Sequence, residues 1–317
     1  MTVITADQLE EIELDAGERA ALLEHALHSV RWDWFGRTIE VRCNRPAEIE
    51  ALRRRYGAFL TADPPDLVCC AVASDERGPI FFTEPGGAFA HPLTLRNSGP
   101  VAFLADAVTT HAFFSIHPAL CSFHAAALRI GDVAAAISAV STGGKSTTAF
   151  ACARRGMGLY SDERCVIRDG CVLPFPRAVN LRAGGIELLA SELVPDDGGI
   201  GDVLRARRGQ DWEAAMLSDV LGDRPLPAPA KLETIFFITG RDERPRIDPL
   251  SLEPALQLLL GAAFAGPLPG MDRLAAAAHL VRQARCFGLT LGTPDDTALL
   301  VAATTAGVTP VYAVETA

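Results

Sequence analysis

The chain has 317 residues, 49% hydrophobic and 21% charged, and its 29 Lys and Arg against 39 Asp and Glu leave a net charge of −10. That composition supports a buried core and excludes a disordered chain, and the length suits two domains at about 150 residues each. The acidic balance, with a pI near 5.2, counts against sequence-independent nucleic-acid binding, which depends on neutralising phosphate charge.

In chain order, residues 5–30 read as a helix from the spacing of Leu9, Ile12, Leu22, Leu23, Ala26 and Leu27, with a break allowed at Asp15-Ala16-Gly17. Residues 38–43 alternate and predict a strand. Pro46 then marks a helix start, with 47–60 helical. Residues 66–74 form a mostly apolar strand. Weaker strands at 79–83 and 88–94 are joined by Glu84-Pro85-Gly86-Gly87, which has turn chemistry. Residues 100–115 read as a helix leading into a second unit. The expected division is a small α/β domain over 1–115 and a larger one over 116–317. No apolar run reaches the roughly 20 residues of a membrane span; the best, Pro254 to Gly266, is interrupted by Gln257. The first 13 residues are acidic and lack the pattern of a secretory signal. The eight scattered cysteines read as free thiols of a cytoplasmic protein, and the seven histidines form no HExxH or HxH cluster that predicts a structural metal.

The chemistry concentrates after His124. Residues 133–140 are short, apolar and preceded by Gly131-Asp132, which suits a buried strand. Ser141-Thr142-Gly143-Gly144-Lys145-Ser146-Thr147 follows, and then a helix over 146–155 stopped by Gly156. Strand, glycine turn, Lys-Ser and helix N-terminus make a P-loop. Glycines let backbone N–H groups approach phosphate oxygens, and the helix start adds unpaired donors. Lys145 spans the β- and γ-phosphates of such a ligand, and the Ser146 hydroxyl ligates Mg²⁺. Ala139 stands where the usual motif has its first glycine.

Asp162-Glu163 lies 17 residues after Lys145, at the end of a short apolar segment. An isolated acid pair is usually a solvated turn. Beside a nucleotide, one carboxylate can hold Mg²⁺ and the other can take a proton from an attacking hydroxyl. Asp169-Gly170 between Cys165-Val-Ile-Arg and Cys171-Val-Leu-Pro predicts a hairpin, unlike the strictly alternating order of common P-loop GTPases. Residues 194–230 read as a loop-helix-loop excursion, either a lid or a surface insertion. Beyond it, 233–239 read as a strand, 251–264 and 270–285 as helices, and 289–291 as a last short strand. Asp295-Asp296 opens a terminal helix.

Three features in order, Phe123-His124-Ala125-Ala126-Ala127, Ser141-Thr-Gly-Gly-Lys-Ser146 and Gly156-Met-Gly-Leu-Tyr-Ser-Asp-Glu163, resemble the HPr kinase/phosphorylase-like branch of P-loop proteins over about residues 120–240. Pro174 to Arg182 resembles a segment of uncharacterised members, some of which phosphorylate a serine of a precursor peptide. The resemblance implies a mixed α/β fold: a phosphoenolpyruvate carboxykinase-like kinase core with a smaller N-terminal α/β domain. It implies ATP and Mg²⁺ as cofactors, with Ser141, Thr142, Gly143, Gly144, Lys145, Ser146 and Thr147 around the phosphates. It makes Lys145, Asp162 and His124 catalytic, with Asp162 the base. Ser146 and Glu163 become metal ligands, and Arg177 and Arg182 phosphate or substrate contacts. The chain departs from the bifunctional enzymes at Ala139, Thr142 and Glu163 and lacks their downstream Glu-Val-Arg-Gly signature, which counts against phosphorolysis and against HPr as substrate. The expectation is a cytoplasmic serine kinase acting on a peptide or protein, as a homo-oligomer, with no nucleic-acid or membrane partner. A small-molecule kinase and a non-catalytic nucleotide-binding regulator remain the alternatives.

Overall fold

The computed structural model describes residues 10–74, 78–84, 88–90, 120–139, 143–177, 179–192, 198–214, 220, 224–262 and 270–308. The chain divides into two compact units, Met1–Pro118 and Ala119–Ala317.

In the first unit the elements are β1 (Glu10–Ile12), α1 (Ala16–His25), β2 (His28–Asp33), β3 (Thr38–Cys43), α2 (Pro46–Arg55), β4 (Leu67–Ser74), β5 (Gly78–Glu84) and β6 (Ala88–Ala90). They build one mixed sheet of order β1-β6-β5-β4-β3-β2. Only β3 and β4 pair in parallel among its described strands, with α2 as the crossover between them. Of the helix expected over 5–30, the break allowed at Asp15-Ala16-Gly17 forms, and the expectation is corrected on both sides of α1, where β1 and β2 are strands. Asp15 accepts from the Glu18 N–H at 2.8 Å while Glu18 returns a bond to the Asp15 N–H, so a capping box starts α1 there. From His28 the alternation that buries Val30 and Trp32 makes a strand instead. Trp32, Trp34 and Tyr56 are fully buried, with ring centroids 5.1–5.4 Å apart, and tie β2 to the end of α2. The helix expected at 100–115 lies outside the described residues.

The second unit begins with β7 (Cys121–Phe123), β8 (Ala125–Ile130), β9 (Val133–Ser138), α3 (Lys145–Arg154), β10 (Gly158–Ser161), β11 (Cys165–Arg168) and β12 (Cys171–Leu173). It continues with β13 (Val179–Leu181), α4 (Ala183–Ser191), α5 (Gly198–Ala206), β14 (Trp212–Ala214), β15 (Ala230–Arg241) and β16 (Arg246–Pro249). It closes with α6 (Leu252–Gly261), α7 (Gly270–Gln283), β17 (Arg285–Leu291) and α8 (Pro294–Thr305). The sheet runs β10-β8-β9-β15, then β17 and β16, with β12-β11-β7 branching from the start of β15. β9, β15 and β17 are parallel, and β8 is antiparallel to both β9 and β10. Residues 198–206 and 212–214 supply the helix and a strand within the 194–230 excursion, and β14 pairs with β13.

The period-2 alternation of the strands feeds two cores, one on each face. Ala135, Ile137 and Phe236 meet Phe150, Ile186, Leu189, Leu300 and Val301 from α3, α4 and α8. Ala134, Ala136, Ile235 and Phe237 meet Leu259, Leu280 and Val281 from α6 and α7. The result is a helix-sheet-helix layering with a mixed sheet. Alanines at both faces of β8 and β9 let the helices approach closely. The hairpin at Asp169-Gly170 forms as its residues require: both have positive φ, 51° and 75°, and Arg168 pairs with Cys171. The eight cysteines are free thiols. No described helix is long and apolar enough to cross a membrane.

Candidate active site

Chain direction assembles the site. β9 and β10 run the same way and β8 runs against them, so the end of β9, the end of β10 and the start of β8 fall on one edge of the sheet. Gly143-Gly144-Lys145 follows the first in the chain, Asp162-Glu163 the second, and His124 stands at the third. Ligands of open α/β sheets bind outside the carboxyl ends of the strands for this geometric reason.

Gly144 is the N-cap of α3 with φ 102° and ψ 4°, a left-handed conformation that favours glycine. Its carbonyl accepts both the N–H and the hydroxyl of Thr148 at 3.0 Å, which fixes the first turn. A Cβ at this position would also lie 2.6 Å from Leu291 Cδ1 and 2.7 Å from a terminal nitrogen of Arg241. Lys145 is 7% exposed, and its ammonium donates to the Asp162 carbonyl at 3.0 Å and lies 3.6 Å from Glu163 Oε2. Lys145 and the acid turn are therefore one unit.

A register shift between Leu159 and Ser161 in the β10–β8 pairing precedes the acid pair and aims it off the strand. The Arg164 N–H donates to Ser161 Oγ at 3.2 Å and closes the turn. Asp162 is fully buried. Its Oδ2 accepts the Asn180 N–H at 3.2 Å, the Ser146 hydroxyl lies near the carboxylate, and its Oδ1 has no hydrogen-bond partner. Burial raises the Asp162 pKa and Glu163 adds to the rise; Lys145, Ser146 and Asn180 oppose it.

Glu163 is the more open acid, its side chain 28% exposed. Burial alone would raise its pKa, but Lys145, then Arg177, His124 and Arg164, outweigh it and bring it down to about 2. His124 sits at the bend where the chain passes from β7 to β8, with its N–H on the Ala262 carbonyl at 2.8 Å and its carbonyl accepting Ser138 Oγ at 3.1 Å. Its Nδ1 lies 3.3 Å from Glu163 Oε1. Burial first, and then Lys145, lower its pKa to about 4 against the pull of Glu163, so the ring is neutral at pH 7.

Of the other residues singled out in the sequence, Arg177 is buried and its charge acts on both Glu163 and His124. Arg182 is exposed and pairs with Asp211, which also accepts the Ala183 N–H; it fixes the start of α4 and is not brought to the acid turn. The Thr147 hydroxyl abuts Gly185 of α4, where a Cβ would collide with it. Ser141 and Thr142 lie outside the described residues. Arg164 and Arg241 carry no motif that marks them in the sequence, and the resemblance of Pro174 to Arg182 gives Asn180 no role. The hairpin after the acid turn is a hint for Arg164; Arg241 reads as part of the turn after a strand over 233–239.

Magnesium fits what is present. Among the described residues no three or more His, Cys, Asp and Glu side chains are grouped to hold a metal. Ser146 and the unpartnered Oδ1 of Asp162 instead offer two oxygen ligands, which is Mg²⁺ practice where phosphates and waters complete the shell.

No family model matches the chain, and no curated protein matches it. Among solved structures, it is similar to the HPr(Ser) kinase/phosphatase from Coxiella burnetii at 13% identity and a TM-score of 0.21, over 51% of this chain and 93% of that one. A TM-score of that size does not establish a shared fold.

Proposed function

We propose that the chain is an ATP- and Mg²⁺-dependent phosphotransferase that moves the γ-phosphoryl group to a hydroxyl, the serine of a peptide or protein. The observation that carries the reading is the Lys145–Asp162 hydrogen bond, which joins a glycine-capped helix start to a buried acid turn. The acceptor class follows the sequence resemblance.

The roles follow from exposure and partners. Lys145 and the amides of the helix start neutralise the phosphates, and catalysis is mainly positioning and charge stabilisation. Asp162 and Ser146 would hold Mg²⁺, which when bound neutralises charge on the transferring group. Asp162 is sealed from solvent, so an incoming hydroxyl meets Glu163 and His124 first. With its Nδ1 proton facing Glu163, neutral His124 leaves Nε2 to accept the hydroxyl proton late in the transfer. The sequence reading makes Asp162 the base and Glu163 the metal ligand; in this proposal Asp162 takes the metal, and the base is His124, oriented by Glu163.

The test incubates the pure protein with γ-labelled ATP, Mg²⁺ and a clarified extract of the native host, beside Lys145→Ala. A labelled peptide or protein seen only with the unmutated chain is expected. Label confined to small molecules moves the acceptor class. ATP binding without Lys145-dependent label makes the chain a non-catalytic nucleotide binder.

A second prediction concerns Gly144→Ala. A side chain at φ 102°, crowded by Leu291 and Arg241, costs on the order of 1–3 kcal/mol of local strain. ATP affinity should fall roughly ten-fold while the circular dichroism spectrum is kept, since about 1.4 kcal/mol corresponds to a factor of ten. Unaltered affinity in a fluorescence titration would remove this turn from the phosphate site.

A further inference from the structure

We infer that Arg241, at the far end of β15, is a phosphate-contacting residue of this site, reaching the donor triphosphate from the β15 side of the loop. The inference rests on the nucleotide reading above and adds to it a residue that no motif marks.

β15 pairs in parallel with β9 up to Phe237 opposite Ser138, where β9 ends. β15 runs on to Arg241, which pairs with Leu291 at the end of β17. This overrun lies beside the P-loop: the two side chains that occupy the space left by the missing Cβ of Gly144 are Leu291 and Arg241. One is apolar and packs. The other brings a guanidinium to the positive end of a buried helix, next to the loop that carries Lys145.

Lys145 already has Glu163 3.6 Å away, whereas Arg241, exposed at the end of β15, faces the positive helix start and is open to a bound anion. Nothing in the turn after β15 supplies one. Asp242 gives its carboxylate to Arg246 and to the Glu243 N–H, each at 2.8 Å, and its own N–H bonds the Leu291 carbonyl at 2.8 Å. Arg246 is held further by Asp248. Among the described residues no carboxylate pairs with Arg241. A phosphate chain is the anion whose oxygens match a guanidinium fork. On the opposite side, Lys145, Arg164 and Arg177 surround Glu163. The phosphate loop is thus flanked by cations from β15 and from the acid turn.

The test titrates a fluorescent ATP analogue into the full chain and into Arg241→Lys, Arg241→Ala and Arg241→Glu, with Arg246→Ala as the control for the turn. Affinity should fall in the order Arg, Lys, Ala, Glu, with Arg241→Ala weaker by roughly ten-fold or more, as for loss of a charge-assisted hydrogen bond. Arg246→Ala should stay within about two-fold, an isolated exposed pair contributing little. Equal affinity across the Arg241 series, or a loss in Arg246→Ala as large as in Arg241→Ala, overturns the assignment while leaving the P-loop reading intact. Failure of the unmutated chain to bind overturns both.

Discussion

Lys145→Ala should lower phosphoryl transfer by roughly 10²–10³-fold or more, the scale of losing one preorganised charge contact to the transferring group. The same change should destabilise the fold, because Lys145 is buried and pairs with Glu163. Removing one partner of a buried pair costs about 3–5 kcal/mol where nothing replaces it. Arg177 and Arg164 still face Glu163, so the lower end or less is expected. The pH dependence identifies the partner. The folded pKa of Glu163 is about 2, below its ordinary 4.5, so its contribution is complete above pH 4.5 and is lost as pH falls towards 2. The folded pKa of His124 is about 4, below its ordinary 6.5, so its contribution is complete above pH 6.5 and is lost as pH falls through 4. In the variant Glu163 rises, since its strongest acidifying neighbour is gone, and His124 rises too, so the gap begins to narrow through the His124 range and narrows further, through Glu163, below pH 4. The stability gap between the two proteins, read from urea unfolding, should therefore be widest near pH 7 and shrink below pH 4. A gap that stays constant across that range would mean that Lys145 does not act through Glu163.

The parts of this site that are legible in the sequence are the local ones. The apolar run before Ser141, the Gly143-Gly144 turn and the Lys-Ser helix start are dictated by neighbours in the chain, and Val133–Ser138 and Lys145–Arg154 form where the spacing puts them. Asp169-Gly170 is legible because few residue pairs accept two consecutive positive φ values. The stretch from 5 to 30 is ambiguous for a physical reason: helical spacing over Leu22, Leu23 and Ala26 adjoins an alternating stretch in which Val30 and Trp32 are buried. Tertiary pairing with β3 decides in favour of a strand from His28. The burial of Asp162 is not legible at all. Two adjacent acids after a short strand read as a solvated turn, and burial comes from α3 and from Asn180, 18 residues on. Arg182 and Arg177 look alike in the sequence. The structure buries one among the charges of the site and gives the other to Asp211 on the surface. Arg241 looks like part of a polar turn until the overrun of β15 places it against Gly144.

Asp162→Asn and Glu163→Gln should then fail in different ways. Asp162 lies near the Ser146 hydroxyl and has an unpartnered buried oxygen, so its amide should raise the Mg²⁺ concentration needed for half-maximal transfer and lower the maximal rate. Glu163→Gln should leave the Mg²⁺ requirement near normal and lower kcat by roughly 10²-fold or more, the usual scale of an acid–base contribution. It should also move the acid limb of the pH profile. The proposed transfer uses neutral His124, whose pKa is about 4, so the unmutated protein should lose activity as pH falls through about 4 and not through the ordinary histidine value of 6.5. Glu163 is the neighbour that holds the pKa of His124 up, and without it the limb moves lower still. A limb near 6.5 in the unmutated protein would show that His124 is solvated during turnover and not the buried base. A raised Mg²⁺ requirement in Glu163→Gln, with Asp162→Asn affecting only kcat, would return the two acids to the roles their order in the sequence suggests.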